Sequence, residues 1–88
     1  MTWTLEYTRT TRKAVGKLGH QSRDGIKDFL RNRLAKHPSP RELGKALKGS
    51  FAAYWSYRVG NFRIICDIQD KKLVVLVVAI GNRPDVYR

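Results

Sequence analysis

Tyr54-Trp-Ser-Tyr-Arg58-Val-Gly60-Asn61-Phe62-Arg63-Ile-Ile-Cys-Asp67-Ile68 is the stretch on which the fold turns. Two strand-forming runs, Phe51 to Val59 and Phe62 to Ile68, flank Gly60-Asn61, and glycine supplies the positive φ that a two-residue hairpin demands. With that pair as the loop, Val59 faces Phe62, Arg58 faces Arg63, Ser56 faces Ile65 and Tyr54 faces Asp67. Side chains alternate along a strand. Trp55, Tyr57, Val59, Phe62, Ile64, Cys66 and Ile68 therefore share one nearly apolar face, the core face. Tyr54, Ser56, Arg58, Arg63, Ile65 and Asp67 share the other. Two arginines directly opposite each other repel and cost stability unless an anion lies over them. That face is marked as a binding site.

Working outward, Leu73 to Ile80 is apolar without alternation, which predicts a strand buried on both faces and central in the sheet. Upstream, Thr2 to Thr8 alternates, with Trp3, Leu5 and Tyr7 on one side, as a half-buried strand does. A first helix follows, with Thr11, Ala14, Val15 and Leu18 on its buried face, a cap from Thr8, Thr10 or Thr11, and Gly19 as its stop. A second helix is predicted over Gln21 to His37, capped by Ser22, burying Ile26, Phe29, Leu30 and Leu34 and turning Arg23, Lys27, Arg31 and Lys36 outward. Pro38 and Pro40 end it. Arg41 to Lys48 reads as a connector or helical turn anchored by Leu43 and Leu47. The expected fold is one α+β domain over residues 1–88, a small, mostly antiparallel four-stranded sheet in the order β-α-α-β-β-β. Helices cover one face, and the uncovered face carries Arg58 and Arg63.

The chain of 88 residues has room for one core and carries a formal net charge of +11. Such an excess repels itself and suits a polyanionic partner, nucleic acid above all. The run Leu73 to Ile80 is far shorter than the roughly 20 apolar residues of a spanning helix, and the N-terminus lacks signal-peptide order. The single cysteine, Cys66, falls on the core face, so neither a disulfide framework nor a metal site is expected, and the chain is expected to be cytoplasmic. His20 and His37 lie at predicted helix ends, away from the arginines, and Asp67 is the one carboxylate on their face. No phosphate loop, metal-ligand spacing or nucleophile–base pair appears. What remains is Arg58, Arg63, Arg83 and Tyr87. Planar guanidiniums suit phosphate, and Tyr54 or Tyr87 offers a surface for an unpaired base. RNA cleavage needs no metal, because a 2′-OH held in line attacks its own phosphate.

Tyr54-Trp-Ser-Tyr-Arg58-Val-Gly-Asn-Phe-Arg63-Ile-Ile and Ile80-Gly-Asn-Arg83-Pro-Asp-Val-Tyr87-Arg, with Lys17-Leu18-Gly19 and Leu47-Lys48-Gly49, resemble the RelE/ParE superfamily of bacterial toxins. The resemblance implies a toxin of a type II toxin–antitoxin pair. In the RelE branch such a toxin is a metal-independent, cofactor-free endoribonuclease that cuts mRNA in the ribosomal A site and thereby inhibits translation. It implies Arg63 at the scissile phosphate, Arg83 at the phosphate or leaving group, Tyr87 stacking on a nucleotide, and Arg58 at a lysine or arginine position. Tyr54, Ser56 and Lys48 fall in the substrate-binding set. Ser56 departs from the family pattern, which carries a cation there. The implied partners are the ribosome with its mRNA, an antitoxin with an acidic segment, and operator DNA through the toxin–antitoxin complex. Two rivals stay open: a ParE-like, non-enzymatic inhibitor of DNA gyrase, and an inactive relative that only binds its antitoxin.

Overall fold

A computed structural model of the protein describes residues 2–49 and 53–82. In chain order its elements are β1 (Thr4–Tyr7), α1 (Arg9–Gly16), α2 (His20–Asp28), a π-helical segment (Phe29–Leu34), a 3-10 turn (Pro40–Leu43), β2 (Lys45–Ala46), β3 (Trp55–Val59), β4 (Phe62–Gln69) and β5 (Val74–Asn82). The hairpin forms in the register the loop dictates, with Val59 paired to Phe62, Arg58 to Arg63 and Ser56 to Ile65. Gly60 takes φ +59° and Asn61 stays out of the left-handed region, as in a type II′ turn. Tyr54 precedes β3, so its expected pairing with Asp67 does not form part of the ladder.

The sheet has five strands in the order β1-β5-β4-β3-β2, one more than expected. It is mixed, because β1 runs parallel to β5 while the other pairings are antiparallel. The extra strand is the pair Lys45–Ala46, which hydrogen-bonds along β3 at the edge. Neither residue has β propensity, so the expected connector gave no sign of it. The middle strand is β4, whereas β5 lies between β4 and β1.

The missing alternation in β5 has a local cause. Ile64 pairs with Ile80 and Ile65 with Ala79, but Cys66 pairs with Val77, which leaves Val78 as an extra residue. One extra residue shifts the pleat by one. Val75, Val77 and Ile80 thus all face the core, although their numbers differ in parity. Burial on both faces is only partial: Val74, Val75 and Val77 are buried, whereas Leu76 and 78–80 are half-buried.

Ile26, Phe29, Leu30 and Leu34 pack on Tyr57, Ile64, Cys66, Ile68, Val75 and Val77, with Trp3 at the margin. The predicted apolar stripe is correct, but the helix is not continuous. From Phe29 the ladder loosens to i→i−5, as in Ala35 N–H to Leu30 O at 2.9 Å. Ser22 is not the cap of α2; the helix begins at His20 with Gly19 before it and no side-chain cap bond. Thr8 caps α1, accepting from the Thr11 N–H at 3.2 Å, while the Thr11 hydroxyl reaches across to donate to Val77 O at 2.9 Å. No helix among the described residues is long and apolar enough to cross a membrane.

Candidate functional site

Three neighbours in the sheet build the site. On β3, Ser56 and Arg58 face away from the core. Arg63 of β4 lies directly across from Arg58. The neighbour of Arg63 on its other side is Gly81, which has no side chain to cover it. Arg58 is exposed, Arg63 is half-buried, and Ser56 and Ile65 are buried, so this face is open at the arginines and closed beyond them. Among the described residues no carboxylate lies within ion-pair distance of Arg58, and Asp67 is held by the Gln69 amide at 3.0 Å. Among the described residues the guanidinium of Arg58 is thus not consumed by a carboxylate.

A cavity of about 210 Å³ opens beside the pair, lined by Glu42, Leu43, Gly44, Lys45, Ser56, Tyr57, Arg58 and Arg63. Its 42–45 wall comes from the 3-10 turn and β2, the segment read from sequence as a connector. Asp67 is therefore not the one carboxylate near the arginines, because Glu42 joins them. His37 reaches toward this corner, its Nε2 3.9 Å from Glu42 Oε1, while its Nδ1 accepts from the Ser39 N–H at 2.9 Å. Cross-strand register is the signal that brings Lys45 to Ser56, and it becomes visible only once the two-residue strand is known.

That wall is fastened at several points. The buried Tyr57 hydroxyl donates to Pro40 O at 2.8 Å. Arg41 grips both Asp70 oxygens, at 2.8 and 2.7 Å, and lies over the Trp55 ring at 5.9 Å. This fork holds the Asp70 carboxyl below the usual carboxylate range. The Leu47 N–H donates to Tyr54 O at 3.2 Å, closing the strand pair.

Of the other sequence-predicted site residues, Tyr54 is half-buried just before β3 and Lys48 is exposed past β2. Arg83 and Tyr87 lie outside the described residues. Burial pushes the Cys66 thiol well above its usual range, with Asp67 adding to the shift, as befits a core side chain and not a nucleophile. Among the described residues no cluster of His, Cys, Asp and Glu could hold a metal.

A second concavity lies on the opposite, helix-bearing face. It is a groove of about 800 Å³ along β1, with Trp3, Leu5, Tyr7 and Val15 among its apolar lining. Arg12, Arg23, Lys27 and Arg31 also line it, against the single carboxylate Asp24. Burial raises the Tyr7 phenol, and the guanidiniums of Arg31 and Arg12 pull the other way.

The sequence matches, over residues 5–87, the model of the ParE toxin of the type II toxin–antitoxin system, parDE. It is 28% identical to Toxin RelG of Mycobacterium tuberculosis over 88 residues, 100% of this chain and 99% of that protein. The fold matches the M. tuberculosis toxin–antitoxin complex RelBE2 at TM-score 0.86 and 25% identity, over 94% of this chain and 93% of that one. A free Escherichia coli RelE mutant matches at TM-score 0.78 and 26% identity, over 97% and 87%. The same mutant bound to an antitoxin RelB peptide matches at 0.74 and 28%, over 93% and 84%.

Proposed function

The chain belongs to the RelE/ParE superfamily of type II toxin–antitoxin toxins, and from that premise we propose that it is an endoribonuclease that cuts mRNA in the ribosomal A site. The observation that carries this reading is Arg58 directly across from Arg63 at the mouth of a small cavity. Folding leaves two like charges together there, and a ribonucleotide phosphate resolves the conflict. Cleavage proceeds by attack of the 2′-oxygen on the adjacent phosphorus. The P–O5′ bond breaks, the 2′ proton is released, and the departing O5′ takes up a proton. The products are a 2′,3′-cyclic phosphate and a 5′-hydroxyl. Arg63 and Arg58 neutralise the charge that gathers on the non-bridging oxygens, and the ribosome holds the codon in line. By the family resemblance, Arg83 serves the leaving group and Tyr87 stacks on the substrate nucleotide, with Tyr54, Ser56 and Lys48 along the strand's path.

The partner that restrains the toxin is a cognate antitoxin, a reading supported by the solved RelE–RelB complexes. The groove on the helix-bearing face suits its acidic segment, since an apolar floor with a cationic rim matches an amphipathic acidic helix.

Toeprinting on translating ribosomes with a defined mRNA tests the nuclease reading. Cuts within the A-site codon, lost in Arg63→Ala and Arg83→Ala and scarce on naked RNA, support it. The match to the ParE toxin model favours a second reading, a non-enzymatic gyrase inhibitor. Inhibited supercoiling together with intact mRNA on ribosomes decides for that one.

A further inference from the structure

We infer that Lys45 is a third phosphate-binding cation of the arginine site, supplied from a separate strand; the inference rests on the nuclease reading above. Lys45 pairs directly with Ser56. Directly opposed residues of an antiparallel pair project from the same face with Cβ atoms about 4.5–5.5 Å apart, and diagonal neighbours lie about 7–8 Å apart. Lys45 therefore stands over Ser56 and diagonal to Arg58, which in turn faces Arg63. All four line the same cavity.

The supports of β2 make sense in these terms. The strand has two residues, and Ala46 pairs with Trp55 and projects to the other face. Four fastenings lie within or beside this short segment: Tyr57 to Pro40, Arg41 to Asp70, Arg41 over Trp55, and Leu47 to Tyr54. Gly44 adds a close backbone approach, because a β-carbon there would lie 2.7 Å from Ser56 O. The outward side chain so positioned is Lys45, which is exposed and, among the described residues, has no carboxylate within ion-pair distance. The position opposite is a buried serine, whose neutral hydroxyl brings no charge to the cavity it lines. A lysine ammonium carries three rotatable donors on a flexible stem. It reaches a non-bridging oxygen from the side the two guanidiniums leave open. It donates hydrogen bonds and exchanges no proton during bond making at the 2′-oxygen and bond breaking at O5′.

The test uses the full chain on ribosomes programmed with a defined A-site codon, under single turnover. Lys45→Gln is expected to slow cleavage on the order of 10²-fold, the scale of losing one charge-stabilising donor, whereas Lys45→Arg retains most of the rate. A second readout separates contact from support. Replacing one non-bridging oxygen of the scissile phosphate with sulfur slows the wild type, and this penalty shrinks in Lys45→Gln for one stereoisomer only. Lys45→Gln within about twofold of wild type, while Arg63→Ala is dead, overturns the inference and leaves the nuclease reading standing. An undiminished sulfur penalty for both stereoisomers in Lys45→Gln also overturns it, making Lys45 a support. Wild-type protein that leaves ribosome-bound mRNA intact refutes the nuclease reading itself.

Discussion

Gly44 passes so close to Tyr57 that a β-carbon there would stand 2.6 Å from the ring atom Cε1. Its φ of −132° is open to any residue, so the constraint is space and not backbone conformation. The ring cannot retreat, because its hydroxyl is tied to Pro40 O and its face packs against Phe29, 5.9 Å between centroids. Gly44→Ala is expected to cost about 1–3 kcal/mol through overpacking, which lowers Tm by roughly 5–20 °C in a domain of this size. It also moves β2 and so reduces cleavage. Gly25→Ala is the contrast: nothing lies within 4 Å of its added carbon. That change stabilises α2 by about 0.5–1 kcal/mol. Thermal melts of the two variants check both signs.

The arginine pair predicts opposite effects on stability and activity. Arg58→Gln removes one of two like charges facing each other. In the absence of RNA it is expected to raise stability by about 0.2–1 kcal/mol at low salt. The gain fades at high salt, where exposed charges are screened. Cleavage on ribosomes falls by about 10²–10³-fold in the same variant. Urea melts at low and high salt, beside single-turnover cleavage, measure the two effects. A stability loss at low salt argues that the pair is not repulsive.

The parts legible in the sequence are those where one local feature dictates many contacts. Gly60-Asn61 set the pairing of Arg58 with Arg63 and separated the apolar face of Tyr57, Ile64 and Cys66 from the charged one. The stripe Ile26, Phe29, Leu30 and Leu34 was equally plain, because helical spacing survives a change in hydrogen-bond ladder. The switch to i→i−5 bonding at Phe29 left no mark in residue type. Nor did the extra Val78 in β5, since a run of valines looks the same whichever face each one takes. Lys45–Ala46 were invisible for the opposite reason. Their strand exists through long-range fastenings at Pro40, Asp70 and Tyr54, and tertiary contact overrides propensity. Glu42 and Lys45 joined the site by that route.

The groove along β1 predicts that antitoxin binding and catalysis are separable by mutation. Arg31 lines the groove on the face opposite Arg58 and Arg63. Arg31→Glu sets a carboxylate against the acidic segment, and a loss of about 1–2 kcal/mol is expected, roughly five- to thirtyfold in Kd. The decline of affinity with salt becomes shallower as well. Ribosome-dependent cleavage stays near the wild-type rate. Calorimetry with the cognate antitoxin at several salt concentrations tests this, and unchanged affinity places the acidic segment elsewhere.

The Arg41–Asp70 fork gives the wall of the site a dependence on pH. Arg41 donates to both carboxylate oxygens, and this holds the folded-state pKa of Asp70 below its unfolded value. A carboxyl depressed by folding contributes stability that is complete above the unfolded value, about 3.9, and disappears as pH falls through the folded one. The fork is therefore intact at neutral pH and opens in acid. Arg41 also lies over the Trp55 ring, so opening frees that indole from its cation, while the other tryptophan, Trp3, stays in the core. Tryptophan emission is expected to change only as pH falls below about 3.9, before global unfolding. Asp70→Asn has no carboxylate to titrate, so the same transition is absent. An identical acid titration in Asp70→Asn and wild type shows that a different carboxylate controls this corner of the fold.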